Sequence, residues 1–89
     1  MTNAQQSEAD EIRRYMALRA ISAELRPAGS ATNNRVIGAA NVAALCMAGE
    51  ATQAEMMTNI AARVPGLSAE ESAIAVKAAA QFVATEATA

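Results

Sequence analysis

Apolar residues return at three- and four-residue intervals through most of this chain, and nowhere do they alternate with polar ones over the length of a strand. The first such run lies in ADEIRRYMALRAISAELR, where Ile12, Tyr15, Leu18, Ile21 and Leu25 mark one stripe of a helix and Met16 lies on its flank. Ser7 and the acidic cluster Glu8, Asp10 and Glu11 suit its start, because a helix N-terminus favours negative charge. Pro27 and Gly29 stop it. A second helix is predicted through RVIGAANVAALCMA, ending near Gly49, with Ser30, Thr32, Asn33 or Asn34 as its cap. Gly38, Ala39, Ala40, Ala43 and Ala44 leave one side of it nearly bare, which permits close approach by a neighbouring helix.

Two capping boxes follow. In Thr52-Gln53-Ala54-Glu55 and again in Ser68-Ala69-Glu70-Glu71, a hydroxyl residue precedes a glutamate by three positions, so each side chain can bond the other's backbone N–H. The first opens a helix striped with Met56, Met57, Ile60, Ala61 and Val64 and closed by Pro65-Gly66. The second opens a helix through Ala73, Ile74, Ala78, Phe82 and Val83. Four helices with short connections make an all-α domain, a compact bundle or an orthogonal array. The domain is expected to span residues 7–85, with frayed ends at 1–6 and 86–89.

Composition narrows what such a fold can bury. Hydrophobic residues make up 53% of the 89 positions, but alanine supplies about half of them, and Tyr15 and Phe82 are the only aromatics. The expected core is therefore short of bulk: Ile12, Met16, Leu18, Ile21, Leu25, Val36, Ile37, Val42, Leu45, Met47, Met56, Met57, Ile60, Val64, Leu67, Ile74, Val76, Phe82 and Val83. So light a core points to self-association, as a homodimer, or to another protein partner. A net charge of −2 does not suit a nucleic-acid or membrane-surface protein. No apolar run approaches the ~20 residues of a membrane span. The polar, acidic first residues do not read as a secretory signal, and Cys46 has no second cysteine to pair with, so the expected setting is cytoplasmic.

Chemistry is constrained mainly by what is missing. Without histidine the chain lacks the commonest general base and metal ligand, and one cysteine cannot complete a zinc site. Ser22, Ser30, Ser68 and Ser72 have no histidine to activate them, and Glu70 and Glu71 stand where a helix start favours acids anyway. Cys46 reads as a buried structural thiol. The four glycines are too dispersed for a phosphate loop. The expectation is no catalytic, cofactor-binding or metal-binding residue: a non-enzymatic interaction module, such as an adaptor, inhibitor, chaperone or assembly subunit, that presents a helix face.

The residues expected to form its contact surface are Arg13, Tyr15, Arg19, Met56 and Met57. Arginine outnumbers lysine six to one, and arginine is favoured at interface rims. Methionines fit both core filling and adaptable partner grooves. The alternative is a small nucleic-acid-binding regulator, since residues 57–76 have the outline of a helix-turn-helix. Against it, the would-be recognition helix opens with Glu70 and Glu71 and carries only Lys77 as a base.

Overall fold

Both capping boxes close, and they fix where the second half of the chain turns. Thr52 Oγ1 accepts from the Glu55 N–H at 3.1 Å while Glu55 Oε1 accepts from the Thr52 N–H at 3.1 Å. Ser68 and Glu71 repeat the exchange, also at 3.1 Å in each direction. Glu55 is held below its ordinary pKa of 4.5, first by the Thr52 backbone bond and then by the Thr52 side chain. Glu71 is lowered chiefly by the Ser68 backbone bond, with the Arg35 guanidinium adding a smaller contribution.

The computed structural model describes residues 3–26 and 34–88. They form four helices, α1 (Asn3–Leu25), α2 (Asn34–Ala48), α3 (Gln53–Arg63) and α4 (Ala69–Thr88), without a strand among the described residues. Of the caps considered for α2, Asn34 is its first residue. Ser30, Thr32 and Asn33 lie outside the described residues, as do Pro27 and Gly29. Two helices run further than their patterns suggest. Helix α1 starts at Asn3 and not near Ser7, consistent with the helix-favouring Ala4, Gln5 and Gln6. Helix α4 continues past Thr85, whose hydroxyl donates to the Gln81 carbonyl at 2.9 Å one turn back.

The end of α2 differs in detail from the expectation at Gly49. The Ala51 N–H reaches the Cys46 carbonyl at 3.0 Å and the Glu50 N–H reaches the Met47 carbonyl at 3.1 Å. That is the paired bonding of a Schellman motif, and its left-handed position falls on Glu50, at φ 58°, one residue after the glycine. Gly66, at φ 82°, supplies the other left-handed residue in the turn between α3 and α4.

Helix α2 is the hub. It packs on α1, α3 and α4, most extensively on α4, and α4 also packs on α1. Among the described residues helix α3 rests on α2 alone, so they form a three-helix body with a fourth helix laid against its central member. Alanine makes the close contact possible. Ala39, Ala40 and Ala43 in α2 and Ala75, Ala78 and Ala79 in α4 are all fully buried, and Ala44 nearly so, in one cluster with Leu18, Val36, Met56 and Ile60. Among the described residues, Leu18 and Ile37 are the largest side chains that are fully buried. Gly38 is not part of the tight contact: a Cβ there would meet Val64 at an ordinary 3.9 Å.

Polar links tie the helices at their edges. Arg14 Nε donates to Asn41 Oδ1 at 2.7 Å between α1 and α2, and Arg35 pairs with Glu71 at 3.6 Å between α2 and α4.

Candidate interaction surface

Four residues expected in the core are instead at the surface: Ile12, Met16, Leu45 and Met57, with exposures of 61%, 66%, 51% and 40%. For α1 the reason is geometric. Successive steps of three residues each fall about 60° short of a full turn, so a stripe through 12, 15, 18 and 21 winds around the helix. Its C-terminal end, at Leu18 and Ile21, faces α2 and α4, whereas its N-terminal end turns into solvent. Tyr15 lies at the boundary, 37% exposed. Ile12, Tyr15 and Met16 border a shallow hollow of about 210 Å³ together with Glu11.

The five residues expected to meet a partner are divided among four places. Tyr15 and Arg19 share the outward arc of α1 with Ile12 and Met16, since positions 12, 15, 16 and 19 follow helical spacing. Arg13 is also exposed but leans the other way, 3.9 Å from Asp10 and 3.9 Å from Glu86 near the end of α4. Met56 is only 6% exposed and belongs to the core cluster, so a partner cannot reach it without opening the α2–α3 contact. Met57, the next residue, points 100° away around α3 and lines a groove. Ile12 and Met16 complete the α1 arc. Their spacing with Tyr15 and Arg19 was visible in the sequence, but only the packing showed that Ile12 and Met16 are left largely uncovered.

The groove of Met57 opens because α3 and α4 do not pack along one another. It holds about 690 Å³ and is lined by the apolar Leu25, Met57, Ile74 and Val76 and by the polar Gln53, Glu70 and Lys77. A smaller hollow of about 380 Å³ continues towards Pro65 and Leu67. This divergence also bears on the helix-turn-helix outline at 57–76, in which the two helices brace each other. Here each is braced by α2, and the start of α4 carries Glu70 exposed and Glu71 engaged with Ser68 and Arg35.

Cys46 is less enclosed than a structural thiol was expected to be. It is half-buried at the α2–α3 contact, where Asn59 Nδ2 donates to its sulfur at 3.6 Å, beside a small hollow lined also by Leu45 and Arg63. Position 46 borders the face of α2 on which α3 lies. Among the described residues no cluster of three His, Cys, Asp or Glu side chains could hold a metal ion, and no helix is long and apolar enough to cross a membrane. Comparison with protein-family models, curated proteins and solved structures finds no match to this chain.

Proposed function

We propose that the chain is a non-enzymatic interaction module of the cytoplasm, acting by contact through the outward arc of α1. One observation carries this reading: Ile12 and Met16, two of the larger apolar side chains in the protein, are 61% and 66% exposed side by side while alanine fills the core. Single exposed apolar residues are ordinary, but a contiguous apolar cluster rimmed by charge is the usual mark of an interface. Tyr15 adds a rigid amphipathic ring at the edge of the patch, and Arg19 and Glu11 rim it. The lone cysteine and the absence of histidine agree with a role that needs no reactive group in a reducing compartment.

The test is site-specific photo-cross-linking in the native cell. With Tyr15 replaced by p-benzoylphenylalanine, a discrete adduct is expected. The same probe at Ala62, on the exposed side of α3, should give none, and Met16→Glu introduced beside the probe should abolish the Tyr15 adduct. Equal labelling from both positions, or an adduct insensitive to Met16→Glu, refutes the reading.

A further inference from the structure

Along the outward arc of α1, Glu8, Ile12, Tyr15 and Arg19 follow a spacing of four, three and four, with Met16 beside them. That is the spacing of a seam that packs against another helix, and all five residues are exposed. Its two charged ends are unused within the described chain. Neither Glu8 nor Arg19 forms an ion pair with another described residue, whereas Arg13 pairs with Asp10 and Glu86 and Arg35 pairs with Glu71.

The seam is also self-complementary in one orientation only. About a point midway between residues 13 and 14, Glu8 exchanges with Arg19 and Ile12 exchanges with Tyr15. A copy of α1 laid antiparallel across this point sets acid against base at both ends and apolar against apolar in the middle. A parallel copy sets Glu8 against Glu8 and Arg19 against Arg19, which is repulsive at both ends. The two arginines flanking the point do not obstruct it, because Arg14 is bonded to Asn41 on α2 and Arg13 leans towards Glu86 on α4.

We propose that the contact face takes a second copy of this chain, α1 crossing α1 antiparallel about a two-fold axis between residues 13 and 14. This rests on the reading of the α1 arc as the contact face. The interface is isologous: Ile12 of each copy faces Tyr15 of the other, Met16 lies at the level of Glu11 beside Ile12 of the other, and Glu8 of each copy meets Arg19 of the other. One helix per copy is a small interface, so the expected affinity is on the order of micromolar.

Sedimentation equilibrium of the purified full chain tests this, with circular dichroism confirming that each variant stays folded. The intact chain should pass from monomer to dimer with rising concentration. Glu8→Arg alone or Arg19→Glu alone turns both terminal pairs repulsive and should weaken the dimer about tenfold, less so in high salt. The double variant E8R/R19E should recover the original affinity, because the complementarity is restored with the signs exchanged. Single variants that dimerise as tightly as the intact chain, or a double variant that stays as weak as the singles, overturn the antiparallel pairing. The Tyr15 photo-adduct separates this proposal from the one beneath it. A species of twice the 9.1 kDa chain mass supports self-pairing. A Met16-dependent adduct of any other mass, with a chain that sediments as a monomer throughout, overturns self-pairing and leaves the contact face standing. No Tyr15-specific adduct overturns both.

Discussion

Replacing Ala43 by leucine tests whether alanine is in the core because nothing larger fits. Ala43 is fully buried on α2. It lies on the buried arc between Asn41, which is bonded to α1, and Cys46, which is bonded to α3, the arc that α4 covers. The facing helix contributes Ala75, Ala78 and Ala79, each also fully buried, and the longer side chains packed against this cluster, among them Met47 and Phe82, are only partly buried. Two opposite effects compete. If the site could accept three further carbons, each would add about 0.8 kcal/mol, and the protein would gain roughly 2 kcal/mol. If α2 and α4 already meet at alanine-to-alanine distance, the same carbons must spread the helices or leave their preferred rotamers, at a cost of about 1–3 kcal/mol.

The packing supports the second outcome, since this is the most extensive helix contact in the protein and every alanine in it is sealed from solvent. The expected loss is therefore about 2–3 kcal/mol, or a fall in Tm of roughly 10–20 °C for a domain of this size. Urea and thermal unfolding followed by circular dichroism measure it. Ala48→Leu serves as the control, because Ala48 is exposed on the same helix and the change there should shift stability by less than about 0.5 kcal/mol. An A43L protein with a raised urea midpoint and native helicity would show that the α2–α4 contact is loose, and would refute the idea that it admits nothing larger than alanine.

Three further outcomes follow from particular residues. Glu50→Gly should stabilise the fold by about 0.5–1 kcal/mol in chemical denaturation, because Glu50 holds a left-handed φ of 58° that costs an L-residue energy; an unchanged midpoint would contradict that. Ser22 Oγ is buried without a hydrogen-bond partner among the described residues, so Ser22→Ala should raise stability by about 1 kcal/mol, and a loss would mean the hydroxyl is satisfied. Glu55 and Glu71 are more acidic in the folded chain than their ordinary 4.5, so the unfolded state binds more protons as the medium acidifies. Their contribution is complete above about pH 4.5 and is lost as pH falls through the lowered folded values. E55Q/E71Q should flatten the acid limb of stability against pH, and an unaltered limb would show that other carboxylates set it.

Local signals in the chain were enough for the elements and most of their boundaries. Thr52 with Glu55 and Ser68 with Glu71 act over three residues, and such bonds form in the same way wherever the helix is finally placed. The Pro65-Gly66 stop after α3 is equally local. What remained open depended on neighbours. The stripe from Ile12 to Leu25 looks continuous along the chain, but it winds around α1, and the fold decides which part is covered: Leu18 is sealed while Ile12 and Met16 are left outside. Adjacent residues were separated in the same way, Met56 entering the core and Met57 facing a groove that exists only because α3 and α4 diverge. The alanine-rich side of α2 announced that close approach was possible. That α4 takes this place, with three alanines of its own, is a fact of the tertiary structure, because a side without bulk specifies how near a partner can come and not which one it will be.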